Sequence, residues 1–288
     1  MASRILLFCG TFLLCGMLCS GENYYTMIET VEKWLDNRYS SASLVYMKRR
    51  EKLKKIVNDK ASSDAMKMEL LIDEFPDAFK KLLSEKVEFY SRSAKRGNAA
   101  SQYELGVCYA KGRGVKQDFS QAVAWFHKAA EQGFVKAQME LGSRYFHGDG
   151  VKKDLKQAAE WYQKAAAQEN AVAQFILGVC LARGYGLKKD ISKAVELYRK
   201  AAEQGFPEAQ FNLGVCYHRG EGVKKDLKQA VEWYQKAAIR GMKEAQYNLS
   251  YCYFNGIGVE KNYNQAEKWH REAYLQEMKE MQKRLFDF

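Results

Sequence analysis

From residue 99 onward, apolar and small side chains return at spacings of three and four, give way to a short glycine-bearing stretch, and resume with the same spacing. In AASQYELGVCYAK, residues 99–111, that stripe predicts an amphipathic helix, helix A. GRGVKQD follows, where two glycines supply the positive φ values of a tight turn and Val115 offers one apolar plug. Asp118 then stands at the N-cap of a second predicted helix, helix B, which places Ala122, Trp125, Ala129 and Ala130 on one face and stops at Gly133. Asp154, Asp190, Asp226 and Asn262 repeat the cap. Gly205 and Gly241 repeat the stop, whereas Glu169 and Glu277 depart from it.

The phrase returns five times at a period of 36 residues. Leu105-Gly106 recurs as Leu141-Gly142, Leu177-Gly178, Leu213-Gly214 and Leu249-Ser250, and Gly112/Gly114 recurs in step with it. Self-similarity at such a period means a stack of supersecondary units, each too small to bury a core alone. The expected fold is all-α: a solenoid of about five helix-turn-helix repeats with helical caps. Function is then to be sought on a long surface.

Small residues at Gly106 and Ala122 beside large ones at Leu105, Tyr109 and Trp125 describe two antiparallel helices packed closely. The composite A-x-x-x-L-G-x-x-Y-x-x-G-x-G-V-x-x-D-x-x-x-A-x-x-W-x-x-K-A-A-x-x-G resembles the Sel-one-like repeat (SLR), a branch of the tetratricopeptide-like proteins, over residues 99–279. The resemblance implies a right-handed superhelix with helix A lining the concave side, acting as a protein-interaction scaffold. Aligned on the tetratricopeptide pattern, the concave positions are Tyr103, Met139, Phe175, Phe211 and Tyr247, then Val107, Ser143, Val179, Val215 and Tyr251. One turn on come Ala110, Phe146, Ala182, His218 and Phe254, bordered by Lys111, His147, Arg183, Arg219 and Asn255. An apolar track edged by cations suits an extended peptide or protein with acidic groups.

Residues 1–21 carry one basic residue, Arg4, an apolar run from Ile5 to Leu18 and then small residues, the pattern of a secretory signal peptide cut after Gly21. A lipoprotein signal acylated at Cys19 is the alternative, and only then is membrane association expected. The expected location is exported, periplasmic or secreted, with a bacterial envelope or a host as destination. Residues 22–98 read as a helical region ending in a degenerate helix B, since Phe89, Ala94 and Gly97 lie one period before Trp125, Ala130 and Gly133. Pro76 can open its first turn. Residues 280–288 end the opposite cap, whose Met278, Met281 and Leu285 are expected to cover the last repeat.

Net charge is +11, concentrated in part at Lys48, Arg49, Arg50, Lys52, Lys54 and Lys55. For an exported chain this reads as a solvated helix face or an anion-facing patch, with no nucleic-acid partner. Of seven cysteines, Cys108, Cys180, Cys216 and Cys252 lie beyond the signal, all in one slot of helix A. Packed helices about 8–10 Å apart keep these equivalents beyond the reach of a disulfide, so they read as packed free thiols. Cysteine-rich SLR relatives carry instead a bridging pair at the positions of Ala130 and Gln138. Those relatives have been described as penicillin-binding or β-lactamase-like, which makes an envelope hydrolase the alternative function. An S-x-x-K tetrad is absent, and His127, His147, His218 and His270 fall in separate repeats without zinc-ligand spacing. The expectation is a non-catalytic scaffold without cofactor or metal.

Overall fold

The computed structural model describes residues 24–38, 44–58, 70–72 and 74–286; the expected signal segment 1–21 lies outside them. The helices are α1 (Tyr24–Arg38), α2 (Leu44–Asn58), α3 (Pro76–Lys95), α4 (Ala99–Lys111), α5 (Phe119–Glu131), α6 (Val135–His147), α7 (Leu155–Ala166), α8 (Ala171–Arg183), α9 (Ile191–Glu203), α10 (Pro207–Arg219), α11 (Leu227–Ile239), α12 (Lys243–Asn255) and α13 (Tyr263–Phe286). No strand occurs among the described residues. The chain forms two compact units, residues 1–128 and 129–288.

In the first unit the N-terminal helices have a core of their own, built from Val31, Trp34, Leu35, Leu53, Leu71, Ile72, Phe75 and Phe79. Trp34 meets Phe75 edge to face, ring centres 6.5 Å apart. α3 begins at Pro76 as a proline-opened helix should, and ends before Gly97 at φ 94°. It therefore starts earlier than a repeat helix does. Phe89, aligned with Trp125, is 61% exposed, so the aromatic that marked the degenerate repeat contributes nothing to its core. Ala94 does keep the repeat role, because its carbonyl accepts from Gln102 Nε2 at 3.1 Å.

The second unit stacks helix pairs in chain order, α6 to α13, each contacting the next. Helix-capping chemistry follows the sequence: Asp154 accepts from the amides of Lys156 and Gln157, Asp190 from Lys193, Asp226 from Lys228 and Gln229, and Asn262 from Gln265. Gly205 and Gly241 take φ of 87° and 83° after their helices, and Glu169 adopts φ 58° in the same place without being glycine. At Glu277 there is no stop, since α13 runs on for 24 residues.

The close contact of helices A and B depends on an aromatic one residue past the tryptophan. A Cβ at Gly178 would lie 2.7 Å from the Tyr198 ring, and one at Gly214 equally close to Tyr234. Gly142 faces Tyr162 in the same way, and within the first unit Gly106 faces Phe126. Trp161 and Trp233 are also buried, but Lys164 and Lys236 lie over their rings at 3.8 Å. The last repeat varies the contact. Ser250 replaces the glycine, His270 replaces the tyrosine, and Ser250 Oγ donates to the Ala266 carbonyl at 2.7 Å. The end of α13 holds the stack through polar contacts, Tyr247 to Glu277 at 2.9 Å and Lys243 to Glu280 at 2.8 Å. Met281 is 45% exposed, against the expectation that it covers the final repeat; Met278 is half-buried, and the side chain of Leu285 lies outside what is described.

Candidate functional site

One face of each A helix is left open by the helices packed behind it. On α8 that face carries Val172, Phe175, Ile176, Val179 and Arg183; on α10, Phe211, Val215, His218 and Arg219; on α12, Tyr247, Tyr251, Phe254 and Asn255. Spacings of three and four put each set on one side of its helix. Leu177, Cys180, Leu213, Cys216 and Leu249 point the other way and are buried.

Within that face the first aromatic row is half-buried structural packing. Phe175 lies 5.8 Å from the Tyr198 ring and 5.2 Å from Phe206, Phe211 lies 5.9 Å from Tyr234, and Tyr247 lies 5.6 Å from His270. Met139 packs against the core of its repeat, and Tyr103, in the first unit, lies 5.6 Å from Phe126. Phe146 is enclosed by Tyr185 and His147, with Lys153 over its ring at 5.8 Å. The open positions lie further along the helices. Tyr251 is 58% and Phe254 56% exposed, and Arg183, Arg219 and His147 are exposed as well. Lys111 is exposed in the first unit. Arg219 reaches Glu221 at 3.7 Å, an exposed pair that leaves its charge largely available.

Between α10 and α12 the face deepens into a cavity of about 200 Å³ lined by Val215, His218, Arg219, Tyr234, Asn248, Tyr251 and Cys252. It brings together four of the concave positions named from sequence: Val215, His218, Arg219 and Tyr251. His218 Nδ1 is buried without a hydrogen-bond partner. Tyr234, at the base, is pushed up to about 12 by burial, with Cys252 adding to the shift and Asn248 opposing it by hydrogen bonding. The phenol is thus a neutral wall. The cavity offers one cation and one imidazole above apolar and neutral polar surface, a recognition site for an anionic or hydrogen-bonding group.

The Sel1 repeat profile matches residues 99–134, 135–170, 171–206, 207–242 and 243–277. The chain belongs to the Sel1 repeat family. A protective antigen present in uropathogenic Escherichia coli strains, displaying an SLR fold, is 40% identical with a TM-score of 0.65 over 66% of this chain and 41% of that one. The chain thus spans less than half the length of that protein. A Sel1 repeat protein from Oxalobacter formigenes is 36% identical with a TM-score of 0.62, over 68% of this chain and 83% of that one. Comparison with curated proteins gives no match.

These Sel1 repeats are held without a disulfide among the described residues. All four thiols are free and buried, and burial pushes each up to about 11. Where cysteine-rich relatives were expected to bridge, Gln138 Nε2 donates to the Ala130 carbonyl at 3.1 Å, and Gln210 and Gln246 do the same to Ala202 and Ala238. Gln168 and Gln204 extend the ladder to Gln138 and Gln174, each at 2.9 Å. Hydrophobic periodicity assigns glutamine to solvent, so this element was missed. Its recurrence at one slot in five repeats (Gln102, Gln138, Gln174, Gln210, Gln246) was the available signal. No group of His, Cys, Asp or Glu able to hold a metal ion occurs among the described residues, and no described helix is long and apolar enough to cross a membrane.

Proposed function

We propose that the chain is an exported, non-catalytic scaffold whose open A-helix face, the expected concave groove, binds a protein or peptide bearing acidic groups. Sel1 repeat proteins generally bind other proteins, and the observation that carries the finer reading is the cavity between α10 and α12. There Arg219, His218 and the exposed ring of Tyr251 converge on one opening. A carboxylate seated among them would gain a charge-assisted hydrogen bond in a partly dehydrated site, while Tyr251 and Phe254 supply apolar contact area.

The packing of Phe175 and Phe211 against Tyr198 and Tyr234 makes them poor probes, because their loss would also loosen the repeats. The informative pairs are Arg183→Ala with Arg219→Ala and Tyr251→Ala with Phe254→Ala. Capture of a partner from envelope extracts should fall with either pair while the melting temperature stays nearly constant, since exposed side chains contribute little to folding. The arginine pair should also remove most of the salt dependence. Capture unchanged by both pairs and lost on replacing the loop-edge lysines Lys152, Lys188 and Lys224 would move the binding surface off this face.

A further inference from the structure

The positive charge of the first unit is not spread evenly. Half of the basic run on α2 is paired with carboxylates: Arg50 with Asp36 at 3.2 Å, Lys52 with Glu74 at 2.6 Å and Lys55 with Glu51 at 3.3 Å. The opposite holds where α1, the start of α3 and the α4–α5 turn meet around a cavity of about 930 Å³. Its rim carries Arg38, Lys80, Lys111, Arg113 and Lys116, and none of these has an ion-pair partner among the described residues. Lys81 also lines it but is engaged with Glu85 at 3.8 Å. The one lining carboxylate is Asp77, in the first turn of α3, where the helix dipole favours it. The floor is apolar, formed by Trp34, Pro76, Leu83 and Val115.

The walls are fixed by packing. A Cβ at Gly114 would lie 2.5 Å from the Leu83 carbonyl, so the turn bearing Arg113 and Lys116 sits directly on the α3 backbone. Trp34 is nearly fully buried and holds Arg38 over its ring at 5.4 Å. Five cations held around one opening repel one another, and a multivalent anion relieves that repulsion in a way a single carboxylate does not. Two of them are arginines, whose guanidinium forks match phosphate oxygens two at a time. The volume is that of a small-molecule site, and the apolar floor has no use for a bare inorganic ion.

We propose that this cavity binds a phosphate ester: a dianionic phosphate held by the rim cations, with the apolar part of the ester on the Trp34, Leu83 and Val115 floor. The site is separate from the A-helix face of the second unit and does not depend on peptide binding there.

Calorimetric titration of the full chain at low salt with 1-naphthyl phosphate tests the proposal, with inorganic phosphate and 1-naphthol as comparison probes. Saturable binding of the ester is expected, at least tenfold tighter than either fragment. Lys80→Ala combined with Arg113→Ala should weaken it at least tenfold. Because these cations repel one another, the double variant should melt no lower than the parent, and Lys80→Gln with Lys116→Gln provides an independent second variant. Replacing Lys48 and Lys54 on α2 should change nothing. Vesicles of phosphatidylcholine with and without phosphatidic acid distinguish the source of the phosphate. Retention on the acidic vesicles that is lost in the double variant assigns a lipid headgroup; naphthyl phosphate binding without retention assigns a free ester. Absence of saturable ester binding overturns the proposal, as does equal weakening by the α2 substitutions, which would reduce the effect to general basicity.

Discussion

Placing one methyl group at Gly178 measures how tightly helices A and B are locked. In an unencumbered helix interior, alanine is favoured over glycine by about 1 kcal/mol. At Gly178 the new Cβ would lie 2.7 and 2.9 Å from two carbons of the Tyr198 ring and 3.2 Å from the Ala194 carbonyl oxygen. Carbon atoms in good contact stand about 3.5–4.0 Å apart. Tyr198 is 4% exposed and has no room to swing away, and the carbonyl belongs to the backbone. Overpacking of this kind costs about 1–3 kcal/mol, so Gly178→Ala should be net destabilising by about 1 kcal/mol. The sign carries the argument, and a second background isolates the cause. With Tyr198→Val the ring is gone, and adding Gly178→Ala should then stabilise by about 1 kcal/mol, a coupling of about 2 kcal/mol between contacting residues. Urea midpoints at constant m-value report each corner of the cycle. A midpoint that rises on Gly178→Ala with Tyr198 intact, or that shifts equally in both backgrounds, would refute the contact as the reason for glycine. The fifth repeat is a natural variant of the test. There Ser250 faces His270, and the Ala266 carbonyl, equivalent to the one that would crowd Gly178, accepts the serine hydroxyl.

Two further outcomes follow from the backbone and the thiols. Glu169 holds φ 58° where three other repeats use glycine, so Glu169→Gly should raise the unfolding free energy by about 1 kcal/mol, the cost of a left-handed conformation for a residue with a Cβ, read as a higher urea midpoint; a fall would mean that the glutamate side chain makes a compensating contact. Burial pushes Cys108, Cys180, Cys216 and Cys252 from 9.0 up to about 11. Because the folded value lies above the unfolded one, the stability contributed by the protonated thiols is complete below about pH 9 and is lost as pH rises toward 11. Urea midpoints should fall across that window, and Cys180→Ala should lessen the fall; an identical pH profile for that variant would show that the thiol is not held protonated by the fold.

Leu105-Gly106 and its four returns, the Asp caps and the turn glycines were legible in the chain because each is a local requirement, met by residue type within a few positions. A period of 36 residues, a carboxylate at an N-cap and a φ near +70° at Gly184 and Gly220 need no distant neighbour to be inferred. The face on which function is sought was legible only in part. The tetratricopeptide pattern picked out one side of each A helix, yet it could not separate Phe175 and Phe211, half-buried against the following helix, from Tyr251, which stands in solvent, and Phe254, which stays more than half exposed although its ring meets Tyr263 at 5.4 Å. That difference arises from what packs beside each helix. The buried glutamines escape a reading by hydrophobic pattern, because an amide is expected in water unless something buried can bond it, and the Ala130, Ala202 and Ala238 carbonyls that do so are displayed only once the helices stack. The fate of the positive charge was likewise decided by tertiary structure. Lys52 and Arg50 find carboxylates brought from other helices, while Lys80, Arg113 and Lys116, unremarkable in the sequence, gather around one cavity because α1, α3 and the α4–α5 turn converge there. Sequence alone determined the repeat, since its signals act within one turn of chain; the structure decided which side chains are left over to bind, since that depends on which neighbours cover the rest.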